Sequence, residues 1–223
     1  MAESTRSLTD LFGILGPRKQ AESATADVSV TNVAEVAYPT KALHKFLASL
    51  QGSEGPLLLD LGPVVGSNVT FFGEQLGCRI RVEDIAADID RHVKAKTIEQ
   101  LPEFFAKRFT QAPGTVDGVL CWDVFDFLDR PAAQALATAL STLLKPDGCL
   151  LGFFSTAETQ GSLYTKYVVV DELNLKYRTY PAARGRQSVL LNRDIIRLFA
   201  GLRVSDSFLL QNNLREILFR KPA

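Results

Sequence analysis

Hydrophobic positions along this chain change period several times, and each change marks an element. Leu43, Phe46, Leu47 and Leu50 fall at i, i+3, i+4 and i+7, one face of a helix over residues 40–50 with Thr40 as its cap. Gly52 and Gly55-Pro56 end it. Leu57–Leu59 then form an apolar run into Asp60, and Gly62, Pro63 and Gly66 break that run before Val69, Phe71 and Phe72. This is the outline of a buried strand, a tight turn and a helix start. A second strand is predicted over 79–83, ending in Glu83-Asp84, followed by a charged helix. Ile98, Leu101, Phe104, Phe105 and Phe109 keep helical spacing, and no strand is evident between Asp84 and Asp117.

Val116–Trp122 is apolar enough to be a strand covered on both faces. Asp129-Arg130-Pro131 opens a helix with Leu136, Leu140, Leu143 and Leu144 on one face, and Lys145-Pro146-Asp147-Gly148 stops it. Cys149–Phe154 is the next strand. Residues 155–190 break the alternation. Asn192 is expected to cap a helix carrying Ile195, Leu198, Phe199 and Leu202 and ending at Gly201, and 204–210 and 214–219 read as an antiparallel hairpin. The fold class that follows is α/β, a doubly wound, mostly parallel sheet with helices on both faces. Residues 1–32 are rich in Ser, Thr and charge and read as a mobile arm, although Leu8, Leu11, Phe12 and Leu15 have helical spacing. Residues 33–223 make one domain, with 155–190 an insertion for substrate or a lid.

Composition narrows the function classes. Lys+Arg and Asp+Glu are both 25 in 223 residues, so no whole-chain attraction to nucleic acid or anionic lipid is expected. Cys78, Cys121 and Cys149 are far apart in apolar stretches, without a zinc-type spacing, which fits a reducing, cytoplasmic setting and no metal. There is no apolar leader at the start and no run long enough to span a bilayer.

The turn after Leu57–Leu59 carries the candidate chemistry. It has no Gly-Lys-Ser/Thr for a phosphate loop. Read as G-x-G-x-x-G from Gly62, it puts Val64 and Ser67 at the second and third glycine positions, so a dinucleotide fingerprint fails. Asp60-Leu61-Gly62-Pro63-Val64-Val65-Gly66 instead resembles the first motif of class I S-adenosylmethionine (SAM)-dependent methyltransferases, with Val64 in place of the middle glycine. Other landmarks of that family follow in order. Glu83-Asp84 ends the second strand, Asp117–Asp123 looks like the fourth strand, and Leu143–Gly148 is similar to the turn before the fifth. The terminal hairpin matches the family's reversed last strand.

The resemblance implies a seven-stranded-type sheet with its third strand missing or degraded, and SAM as cofactor. It assigns Asp60, Gly62, Gly66, Glu83, Asp84 and Trp122 to cofactor binding, with Asp84 preferred to Glu83 on the ribose. Asp123 is the candidate to deprotonate or orient a nucleophile, with Asp126 next. A cofactor-bearing family member would transfer a methyl group by in-line displacement to a small molecule. The basic stretch Lys176, Arg178, Arg184 and Arg186, free of acids, favours an anionic one. Val64 and the absent third strand support a second expectation, a cofactor-poor member acting as a binding or scaffold protein. A third, an RNA-binding or RNA-modifying protein, rests on the same basic stretch and its tyrosines.

Overall fold

The computed structural model describes residues 36–52, 54–157, 161–187 and 189–223. The arm expected over 1–32 lies outside these residues. The described residues form one compact unit.

Its centre is a six-stranded sheet in the order β3-β2-β4-β5-β9-β8. Strands β2 (Leu57–Asp60), β3 (Arg79–Val82), β4 (Val116–Trp122) and β5 (Leu144–Ser155) are parallel, while β9 (Leu214–Arg220) runs antiparallel to both β5 and β8 (Arg203–Leu209). All seven residues of β4 are buried, because the strand is central and covered on both faces. The segment between β3 and β4 contributes no strand among the described residues, so four-residue β3 is the sheet edge. It is helical instead, with α3 (Ile85–Ala95), a 3-10 turn at Ile98–Gln100 and α4 (Leu101–Lys107).

One face of the sheet packs against α3, α4, α5 (Arg130–Leu143) and α6 (Asn192–Leu198), with Phe105, Leu136, Leu140 and Phe199 fully buried. The other face is covered by α1 (Leu43–Leu50), α2 (Gly66–Val69) with its π-helical continuation Thr70–Gln75, and a second sheet. That sheet orders β1 (Ala37–Pro39), β7 (Asn174–Pro181) and β6 (Leu163–Asp171), all antiparallel. Residues 163–181 thus form a hairpin packed on the main sheet. Pairing in register puts Tyr167 opposite Tyr177 and Val169 opposite Leu175, and these four side chains turn toward the main sheet. No period is legible here because lysines, arginines and tyrosines occupy strand positions with long polar tips on apolar bodies.

Two of three expected helix caps differ in the structure. Helix α5 starts as predicted, with the Asp129 carboxylate accepting from the Ala132 amide at 3.1 Å. Asn192 is instead inside α6, whose flanking residue Leu191 makes no side-chain cap. Helix α1 begins at Leu43, and Thr40 accepts only a long 3.4 Å bond from the Leu43 amide. The free amides of Lys41 and Ala42 donate at 2.8 Å to Oε2 of Glu216, a fully buried carboxylate on β9. A carboxylate suits the positive end of a helix, and this cap comes from a residue 174 positions away from Ala42.

Candidate functional site

The crevice at the carboxyl ends of β2 and β4 is where open α/β sheets bind ligands, and it gathers most of the residues singled out from the sequence. Asp60 ends β2, is 2% exposed, and uses one oxygen twice. Its Oδ1 accepts from the Gly62 amide at 2.9 Å and from Trp122 Nε1 at 2.6 Å. Burial pushes the Asp60 carboxyl up from 3.8 to about 6, those two hydrogen bonds oppose the rise, and the nearby charge of Asp84 adds to it.

Trp122 ends β4 in the left-handed region, φ +49°. For a residue with a large side chain such a backbone costs about 1–3 kcal/mol and persists only where surrounding contacts hold it. Those contacts are visible. The indole is 3% exposed, stacks flat on Tyr167 with ring centres 5.1 Å apart at 6°, and meets Phe153 edge-on at 5.5 Å. It also lies directly on Gly62, where a Cβ would stand 2.9 Å from Trp122 Cδ1 and 3.0 Å from Nε1. Gly62 is therefore needed for the indole. Gly66 differs, since a Cβ there would meet nothing within 4 Å.

The other candidates divide. The Glu83 carboxylate is engaged away from the crevice by Arg108 Nη1 at 2.7 Å and Gln111 Nε2 at 3.1 Å, with Arg81 at 3.7 Å. Asp84, at φ +32°, caps α3 by accepting from the Ala87 amide at 3.1 Å, and its charge is felt by both Asp60 and Tyr180. Of that pair, Asp84 is the one whose charge reaches Asp60 and Tyr180. Val64, expected to crowd the turn, is 66% exposed. The side chain that crowds it is Trp122.

Asp123 and Asp126 follow β4 and are both buried. Arg186 spans them, with Nη2 2.6 Å from Asp123 Oδ2, Nη1 donating to Asp126 Oδ2, and the guanidinium carbon 5.1 Å from the centre of the Phe127 ring. The Tyr167 hydroxyl is among the groups that hold the Asp123 carboxyl down, and the Ser155 amide donates to Asp126 at 3.0 Å. Burial raises both carboxyls against the pull of Arg186, Asp126 to about 7 with repulsion from Asp123 adding to the rise. Arg184 reaches toward Asp129 at 3.8 Å. Two cations of the basic stretch are thus turned onto the chain's own acids. Asn68 was not identified from sequence, and Arg186 and Tyr167 stood out only as parts of a basic, tyrosine-bearing stretch for an outside ligand. Asn68, buried after the glycine turn, donates from Nδ2 to the Tyr167 carbonyl and accepts from the Val169 amide, both at 2.8 Å. The signal for Arg186 was present as a complement, acids at 123, 126 and 129 against arginines at 184 and 186.

What remains open between Gly62, Pro63, Ile89, Phe127, Tyr164 and Tyr180 is a cavity of ≈ 10 Å³. One water needs about that much, whereas small-molecule sites run to about 300–1,000 Å³. Larger hollows of ≈ 540 and ≈ 630 Å³ flank α5, and one of ≈ 480 Å³ lies between Tyr38, Lys41 and the β8–β9 turn, away from the crevice.

The sheet order, with a parallel half, a reversed β9 and an antiparallel hairpin edge, decides the fold. The chain has the class I methyltransferase fold. Solved structures agree at the level of architecture. The PH0226 protein of Pyrococcus horikoshii OT3 matches with a TM-score of 0.50 at 14% identity, over 81% of this chain and 88% of that one. A 1,6-didemethyltoxoflavin-N1-methyltransferase of Burkholderia thailandensis, solved with S-adenosylhomocysteine, matches at 0.47 and 18%, over 82% and 79%. The CcbJ methyltransferase of Streptomyces caelestis matches at 0.47 and 14%, over 81% and 94%. No protein-family model and no curated protein matches the sequence. The motif resemblance puts SAM at this crevice, and the residues present there do not fit that cofactor. Trp122 occupies the space over Gly62, Asp60 and the Gly62 amide are bonded within the chain, and ≈ 10 Å³ remains.

Proposed function

We propose that this methyltransferase-fold chain works without SAM, as a binding module whose crevice is filled by its own tryptophan. The observation that carries this is the Trp122 indole lying on Gly62 while bonded to Asp60. An enzyme of this kind must place the cofactor's reactive carbon against the substrate, and orientation is most of what the protein supplies. Here the positions for that orientation are held by side chains of the chain itself. Three buried, unpaired cysteines support a reducing, cytoplasmic setting.

The test is direct, because Trp122 is the sole tryptophan. Titration with SAM and with S-adenosylhomocysteine is expected to leave the indole emission unchanged and to give no saturable heat. Saturable micromolar binding of either by the natural chain overturns the proposal.

A second reading keeps a specific observation in its favour. Asp60, Gly62 and Asp84 stand at the crevice in the order a SAM site uses, so a methyltransferase for a small molecule is the alternative, with transfer by in-line displacement. Asp123 is a poor base for that reaction as it stands, since Arg186 binds it. Measured methyl transfer from labelled SAM to any small-molecule acceptor would favour this alternative. An RNA role is not proposed, because Arg184 and Arg186 face Asp129, Asp123 and Asp126.

A further inference from the structure

Asp123 and Asp126 place two carboxylates in one buried loop, and like charges that close in a dry setting repel. Arg186 lies between them with its side chain 16% exposed, bonded to one oxygen of each. It comes from the segment after β7, about 60 positions along the chain from the loop it grips. The neighbouring backbone is tied to the same place, the Gln187 amide donating to the Asp126 carbonyl at 2.6 Å. From Asp123 the groups run inward in order. The Tyr167 hydroxyl acts electrostatically on Asp123, the Tyr167 ring stacks on Trp122, and the indole covers Gly62. An outer guanidinium, a carboxylate, a phenol and an indole thus form one chain from the surface to the crevice floor.

We propose that Arg186 is the clasp of this crevice. By neutralising Asp123 and Asp126 it keeps Tyr167 stacked on Trp122 and the indole on Gly62, and its release opens the crevice to a nucleoside-bearing ligand. The proposal rests on the reading of the crevice as filled by Trp122 and names how that filling is regulated.

The physical reason is asymmetric cost. A buried ion pair adds little net stability, but removing one partner leaves an uncompensated buried charge and is strongly destabilising for the arrangement that holds it. With Arg186 gone, Asp123 and Asp126 face each other, the Tyr167 hydroxyl from β6 and the Ser155 amide from β5, with no cation among them. Relief comes by moving the loop toward water, and the loop begins at Trp122. Arg186 is a positioning residue in this scheme, acting on the crevice through Asp123 and Tyr167.

Arg186→Gln tests it by fluorescence of the single tryptophan and by titration with S-adenosylhomocysteine. The expected result is a red-shifted indole emission, an acrylamide quenching constant raised several-fold, and saturable binding of S-adenosylhomocysteine that the natural chain lacks. The triple variant with Arg186→Gln, Asp123→Asn and Asp126→Asn removes the repulsion along with the clasp, and is expected to return quenching to the natural level. An arginine that merely packs on Phe127 would not be rescued in that way. Should Arg186→Gln fail to fold by circular dichroism, Arg186→Lys keeps the charge, loses the two-pronged geometry, and is expected to show intermediate quenching. Natural quenching in Arg186→Gln or in Arg186→Lys, or failure of the triple variant to restore it, overturns the clasp. Binding of S-adenosylhomocysteine by the natural chain overturns the filled-crevice reading instead, and leaves the quenching comparison to decide on Arg186.

Discussion

Replacing Asp60 by Asn isolates the electrostatic cost of the crevice floor. Both donors to Asp60, the Gly62 amide and Trp122 Nε1, converge on Oδ1, so an amide oxygen in its place keeps both bonds. What changes is the charge. Burial raises the Asp60 carboxyl from 3.8 to about 6. A folded-state value above the unfolded one means that the folded chain binds the extra proton between those two values. Stability from this group is therefore fully present below pH 3.8 and is lost as pH rises through about 6. With about 1.4 kcal/mol per unit, the loss between pH 4 and pH 8 is about 2.5 kcal/mol. Asp60→Asn has no such loss. Urea unfolding followed by Trp122 emission at pH 4, 6 and 8 measures it. The natural chain is expected to lose about 2.5 kcal/mol more than the variant over that range. Asp126, raised to about 7, steepens both curves alike and drops out of the difference. Parallel curves would refute the reasoning, and so would a variant that loses more stability with rising pH than the natural chain.

The glycine turn and its surroundings give three further tests. Gly62→Ala forces a Cβ to 2.9 Å from the indole and is expected to destabilise by about 1–3 kcal/mol with a shifted Trp122 emission, whereas Gly66→Ala, with open space and an ordinary φ, is expected to be neutral or stabilising by about 0.4–1 kcal/mol. Equal effects at the two glycines in thermal unfolding would contradict the packing described. Val64→Gly restores the middle glycine of the family motif, yet Val64 is exposed, so titration is expected to show no gain in S-adenosylhomocysteine binding. A gain would put the block at Val64 and not at Trp122. Glu216→Ala strips the cap from Lys41 and Ala42 and is expected to cost about 1–3 kcal/mol in urea unfolding, against near zero if water replaces the carboxylate.

The sequence by itself determined the main sheet. Leu57–Asp60, Val116–Trp122 and the helices opened by Asp129 and carrying Leu43 to Leu50 are read from local periodicity and caps, and these signals act within a few residues. The missing third strand was legible for the same reason, since 98–109 has a helical period where a strand would stand. The crevice was legible as a location, because a strand end, a glycine and a second strand end fix where it must be. Its state was decided only by tertiary structure. Trp122 and Gly62 are 60 positions apart, Tyr167 is 45 beyond Trp122, and Arg186 lies 63 from Asp123. No local pattern says that an indole fills the space over a glycine, or that a basic stretch turns inward onto buried acids. The same holds for Glu216, whose carboxylate caps a helix from the opposite end of the chain. Period and capping report what a residue does to its neighbours along the chain, while burial, charge neutralisation and ring stacking depend on which distant segments the sheet brings together.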